Sequence, residues 1–230
     1  HIAVAIHDLY TVEGATETVV GSYEATVTLN DAANYEWAEE FNGKVAWTIT
    51  KATYDMSGVK FENVTVTYDG TEHKVEIKGT LPEGVTVSYN NNKGTNAGTY
   101  DATATFTYDT TNYNTIADMN AVLTINKVKV ELPEATTSFV YDGTAKVSVT
   151  AHDLYTVTNN SATNAGNYEA VVTLKDAANY EWAEEFDGEI AYTIEKATHN
   201  MSGISFEDVT VNYNGQQHVV EINGTLPSGV

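Results

Sequence analysis

Two acidic runs hold the residue types from which a calcium site is built. Asp31, Glu36, Glu39 and Glu40 recur further along as Asp176, Glu181, Glu184 and Glu185. Calcium takes six or more converging oxygens, and neither run has the Asp-x-Asp-x-Asp-Gly spacing of a calcium loop. Asp31, Glu36, Asp176 and Glu181 are the calcium candidates, and a solvated acidic loop is the expected reading. Paired carboxylates also serve glycoside hydrolysis, yet a catalytic pair belongs to one place in a fold and these acids are duplicated. The aromatics set among them, Tyr35 with Trp37 and Tyr180 with Trp182, offer flat faces for a sugar or protein ligand. The competing reading is that Asn-Tyr-Glu-Trp caps the end of a core. Trp47 becomes Tyr192 in the second copy, which fits an interchangeable core-facing aromatic better than a selective contact.

Other chemistry is thinly supported. Six histidines occur, with no His-x-x-x-His spacing for zinc. Cysteine is absent, which removes disulfides, thiolate metal sites and thiol nucleophiles. There is no nucleophile elbow and no phosphate-binding glycine loop. Lys51, Lys127 and Lys196 occupy equivalent places, so a lysine crosslinked to Asn or Asp is one alternative. That chemistry needs an apolar site with a neighbouring carboxyl group, and a solvated linker lysine is expected instead. No enzyme activity and no cofactor are expected.

The duplication is the strongest signal in the chain. Residues 7–85 align without a gap on 152–230, at a constant offset of 145, and roughly two thirds of the positions are identical. Asp31 to Phe41 returns letter for letter as Asp176 to Phe186. A shorter period lies within the first. Tyr68-Asp-Gly-Thr, Tyr141-Asp-Gly-Thr and Tyr213-Asn-Gly-Gln mark openings, and Thr-Ile-x-Lys at 48–51, 124–127 and 193–196 marks closings. The chain therefore reads as residues 1–51, a partial unit without its opening strand; 52–127 and 128–196, two complete units; and 197–230, a partial unit holding opening strands only.

These units need strands to carry them. Apolar and polar residues alternate in 23–29, 64–68, 85–89, 146–150, 168–174 and 190–194, and a period of two sends alternate side chains to opposite faces of a strand. Threonine and the 15 tyrosines suit a pleated, half-buried surface. Asn-Gly, Asp-Gly and Asn-Ala-Gly supply turns between the runs. Residues 31–40 are expected as a loop or a single helical turn. Short strands at close spacing, with no amphipathic helix, predict an all-β chain of tandem small Ig-like β-sandwich domains arranged as an elongated rod.

Tyr-Asp-Gly-Thr at an opening, Thr95-Asn-Ala-Gly-Thr-Tyr100 and Thr163-Asn-Ala-Gly-Asn-Tyr168 in mid-unit, and the Thr-Ile-x-Lys closings resemble the MBG and YDG repeat domains of large bacterial surface proteins. The resemblance covers the whole chain and implies a secreted or wall-bound location, β-rich modules and a role as stalk or adhesin. It carries no catalytic residues. The first unit departs from the pattern at Glu17-Thr-Val-Val20.

Charge narrows the partners. With 32 acids against 11 basic residues, the formal net charge is −21, which disfavours nucleic acid and anionic membrane surfaces. No apolar run is long enough to span a bilayer. The chain reads as a segment of a longer protein: a structural spacer, with neighbouring repeats as its partners. Two alternatives stand beside it. One is a module binding a host glycan or host protein; the other is a filament subunit assembled by strand donation between chains.

Overall fold

The computed structural model describes residues 7–227. The chain divides into two compact units, one running to Lys127 and the other beginning at Val128. All regular structure among the described residues is β.

The first unit begins with β1 (Tyr10–Glu13), β2 (Gly21–Leu29) and β3 (Lys44–Ile49), an antiparallel sheet in the order β1-β2-β3. Next come β4 (Val64–Thr67), β5 (His73–Lys74), β6 (Thr86–Asn90), β7 (Lys93–Gly94), β8 (Gly98–Thr107) and β9 (Met119–Asn126). Four of these form a sheet in the order β4-β9-β8-β6, while β5 and β7 form a separate ladder. Val75, just after β5, packs with Ala102, Ala121, Leu123 and Ile125 of the larger sheet, so the two layers share one core.

The second unit comprises β10 (Val128–Val130), β11 (Ser138–Val140), β12 (Lys146–Val147), β13 (Tyr155–Thr158), β14 (Ser161–Ala162), β15 (Gly166–Leu174), β16 (Tyr180–Trp182) and β17 (Glu189–Glu195). Its main sheet runs β11-β17-β15-β13, and β10-β16 and β12-β14 are small ladders. Val130, Val149, Tyr155, Ala170, Val172 and Tyr192 make the core, with Tyr180, Trp182 and Ala162 of the small ladders packed on it. A sheet covered on one face by shorter ladders is a sandwich. The period-two alternation predicts this, since each long strand buries one row of side chains and leaves the other wet.

In both complete sheets the opening strand lies parallel to the closing strand. Val66 is opposite Ile125 in β4-β9, and Phe139 is opposite Ile194 in β11-β17. Each isoleucine is that of Thr-Ile-x-Lys, so one register serves both units. The remaining long pairs are antiparallel.

Two of the segments read as strands from the sequence differ in the structure. Of residues 146–150 only Lys146 and Val147 form a strand, because that is where the β14 partner ends. The opening strands expected in 197–230 do not form: among the described residues this segment holds one isolated bridge, Ser205 to Asn223. A single extended segment has no ladder to satisfy its amides, so alternation alone does not make it a strand.

Candidate functional site

The acidic runs fold into a turn with the same geometry in each copy. Asp31 accepts hydrogen bonds from the Asn34 backbone amide at 3.2 Å and from its side-chain amide at 2.8 Å. Asp176 receives the same pair from Asn179 at the same distances. Asp109 of the intervening unit, which lies outside the two repeated acidic runs, does likewise with Asn112. Asp-x-x-Asn-Tyr is thus a self-satisfied turn, made because short polar side chains cap nearby backbone amides.

Its use becomes clear one strand away. The chain just after a Thr-Ile-x-Lys closing pairs in parallel with the end of this turn in its own unit. Ala52 bridges Tyr113, with the Ala52 amide donating to Asn112 O at 2.9 Å and the Asn114 amide donating to Ala52 O at 2.8 Å. In the second unit β10 pairs with β16, Val128 opposite Tyr180 and Val130 opposite Trp182, and the Val128 amide donates to Asn179 O at 3.0 Å. The turn clasps the linker strand. Tyr54 stacks on Tyr113 at 3.9 Å between ring centroids and meets Tyr108 edge-on. This stacked, desolvated site raises the Tyr54 hydroxyl above its ordinary pKa.

The clasp also links successive repeats inside the first unit. The Val20 amide of the 1–51 repeat donates to Asn112 Oδ1 at 2.8 Å, and Lys51 Nζ donates to Thr110 O at 2.6 Å. Lys51 thus hydrogen-bonds a backbone carbonyl. The Asp109 pKa is lowered chiefly by its Asn112 hydrogen bonds, and the Lys51 charge is one of the smaller influences in the same direction.

The calcium candidates are spread over these roles. Asp31 and Asp176 hold their turns, Glu36 is exposed, and Glu181 pairs with Lys129 across β10-β16 at 2.8 Å. No group of three or more His, Asp or Glu placed to hold a metal occurs among the described residues. Of the aromatic candidates, Trp37 and Trp182 sit in two matching ring clusters. Trp182 lies edge-on to Phe186 at 5.2 Å and tilted on Tyr155 at 5.6 Å. Trp37 meets Phe41 and Tyr10 in the same way. Tyr180 packs on the second core, while Tyr35 is exposed.

Trp47 and Tyr192 share a task. Trp47 Nε1 donates to Gly14 O at 3.2 Å and Tyr192 OH to Asn159 O at 3.1 Å, and Gly14 and Asn159 are themselves 145 apart. Both acceptor residues sit in the left-handed region, at φ 70° and 56°. Glycine enters it freely and asparagine is enriched there among the other residues.

The opening motif builds an anionic turn. Asp69 accepts from the Thr71 amide, the Thr71 hydroxyl and the His73 ring, and those bonds to the ionised form, the Thr71 ones foremost, hold its pKa down at about 2. Asp142 is lowered as well, chiefly by Lys146 and then by Thr144. These bonds within Tyr-Asp-Gly-Thr and its neighbours explain the motif locally. Spacing alone had not indicated them.

No family model matches the chain, and no curated protein matches it. A three-Ig structure of titin domains, in an E-to-A mutated variant, aligns over 85% of this chain and 84% of that one, at 9% identity and a TM-score of 0.23. A likeness at that score transfers no property to this chain. Among the described residues no helix is long and apolar enough to cross a membrane.

Proposed function

We propose that this chain is a spacer segment of an extracellular bacterial surface protein built from MBG/YDG-like repeats, whose task is to hold a distal region away from the cell. The observation that carries the reading is the clasp. The same Asp-x-x-Asn-Tyr turn is built three times, and in both complete units it receives the linker that enters from the preceding closing strand. Inside the first unit the turn also ties residues 1–51 to the repeat that follows. In a stalk, tension enters at the linker and leaves at the closing strand. The parallel ladders β4-β9 and β11-β17 then bear it across several hydrogen bonds at once. The excess of acid keeps neighbouring stalks apart.

Of the repeated acids, Asp31 and Asp176 hold turns and Glu181 an ion pair, and Trp37 and Trp182 pack edge-on against neighbouring phenylalanines. Pulling the chain from its two ends in single-molecule force spectroscopy tests the proposal. Two separate unfolding events of roughly 25 nm each are expected, one per complete repeat of about 70–75 residues at ~3.6 Å per residue. One merged event, or extension without a resolved force peak, would contradict a load-bearing spacer.

A further inference from the structure

Three asparagines in the chain precede a glycine: Asn42, Asn214 and Asn223. Their repeat mates are Asp187, Asp69 and Lys78. An Asn side-chain amide carbon lies within reach of the next residue's nitrogen, and glycine, having no β-carbon, hinders that approach least.

Among the three, Asn214 has the surroundings that most favour such an attack. Its Oδ1 accepts the Gln216 amide at 2.9 Å and meets His218 Nε2 at 3.0 Å. An amide oxygen only accepts, so the His218 nitrogen carries the hydrogen. Bonding to the residue two places on folds the side-chain carbonyl over the Gly215 peptide. Both donors then face the oxygen on which negative charge collects as the amide carbon becomes tetrahedral, the arrangement of an oxyanion hole. Gly215 has nothing within 4 Å of where a β-carbon would stand, and the turn is exposed. The same turn is open to water in both complete repeats, where the Asp69 and Asp142 side chains are 53% and 54% exposed. The other two sites are held more firmly. Asn42 Oδ1 accepts the Lys44 amide at 3.0 Å, the residue four places on is Ala46, and Gly43 O is fixed on the Val27 amide at 2.7 Å. Asn223 bonds Ser205 through its backbone amide and its carbonyl, each at 3.0 Å, and Gly224 abuts the Gly203 carbonyl.

We propose that Asn214 is a site of spontaneous hydrolytic modification. The Gly215 nitrogen bonds to Asn214 Cγ, the Cγ–Nδ2 bond breaks, and the proton displaced from Gly215 leaves with Nδ2 as ammonia. Water then opens the cyclic imide, returns a hydrogen to the Gly215 nitrogen and leaves a carboxylate, as aspartate or isoaspartate. The net change is water in and ammonia out. The aspartate product fits its surroundings, since Asp69 already receives the Thr71 amide and the His73 ring at the equivalent places. It is also inert there. An anionic carboxylate is a poor electrophile, and hydrogen bonds, those of Thr71 foremost, hold the Asp69 pKa down at about 2. Time therefore gives the third opening turn the anion of the first two and adds one negative charge to the chain.

The full chain, held in warm, mildly alkaline buffer and sampled over weeks, tests this by peptide mapping in a mass spectrometer. With aspartate and isoaspartate forms counted together, Asn214 is expected to convert several-fold faster than Asn42 or Asn223. His218→Ala should slow Asn214 several-fold and leave Asn42 unchanged. Mere loosening of the segment would speed Asn214 up, so a damaged fold does not imitate the expected result. Conversion of Asn214 no faster than that of Asn42 overturns the inference, and so does an equal or higher Asn214 rate in His218→Ala. Neither outcome touches the spacer proposal, because the force measurement reads the complete repeats.

Discussion

Residues 52–85 and 197–227 carry closely related sequences in different surroundings, and the difference separates what a repeat builds alone from what its partners build for it. The local features match. Met56 O accepts from Val59 N and Met201 O from Ile204 N, both at 3.0 Å. Asp55 caps the Ser57 amide and Asn200 caps that of Ser202. Lys60 bridges Lys78, and Ser205 bridges Asn223. Gly79 and Gly224 both sit at positive φ against a glycine carbonyl that any β-carbon would strike. The non-local features do not match. Val64 and Val66 lie on β9 and join a buried cluster, whereas Val209 and Val211 lie in no strand and are exposed. Turns and the short bridge are encoded within the segment itself, and strands are granted by a neighbour.

Substitutions that empty the core should widen the contrast most. Leu123→Ala removes a fully buried side chain and should cost about 3–4 kcal/mol in denaturant unfolding. Val211→Ala in the dilute monomer should stay within about 0.5 kcal/mol. Comparable losses would mean that the 197–227 segment has a core after all.

The clasp gives the next largest effect. Asn179 is buried and Asn34 exposed, although each bonds its aspartate at equal distances. Thermal melts should show Asn179→Ala costing about 1–3 kcal/mol and Asn34→Ala much less, since water replaces the exposed bonds. Equal effects would show that the turn, and not its burial under the linker, carries the energy.

A gentler contrast lies in pH. Asp69 has its pKa lowered to about 2 in the folded chain, while its repeat mate Asn214 cannot ionise. A depressed carboxylate favours the folded state at all pH values above its unfolded pKa near 3.9. That contribution fades as acid carries the pH from about 4 down through 2. Carbon-detected titration should place the Asp69 midpoint near 2, and Asp69→Asn should flatten the acid limb of the stability curve. A midpoint near 4 would dissolve the distinction between the two turns.

Smallest of all is Trp47→Tyr, which installs the residue found at 192. A tyrosine hydroxyl there meets the same class of carbonyl acceptor, so the melting temperature should barely move.

The sequence reading went furthest where the information is local. The alternations at 23–29, 64–68 and 168–174 fall on β2, β4 and β15, and the loop expected at 31–40 is the Asp-Asn turn with its irregular continuation. Partner choice lay beyond it. Nothing in Val64-Thr-Val-Thr distinguishes parallel pairing with β9 from antiparallel pairing with β6, because periodicity sets faces and not neighbours. The strand Tyr180–Trp182 was missed for the same reason: Tyr35-Glu-Trp37 has the identical letters and forms none, as pairing with β10 is what makes it a strand. Of the candidate site, the acids and aromatics were visible as a repeated set. Their joint role around the linker needed coordinates.

Hydrogen–deuterium exchange, followed at single-residue resolution in the dilute monomer, tests most directly the claim that a closing strand makes the opening strand. Tyr68, whose amide donates to Asn126 O, and the neighbouring β4 amides that pair with β9 are expected to exchange orders of magnitude more slowly than those of Val209–Tyr213. Matching protection in the two segments would mean that the opening strand is ordered by its own sequence, which contradicts the account.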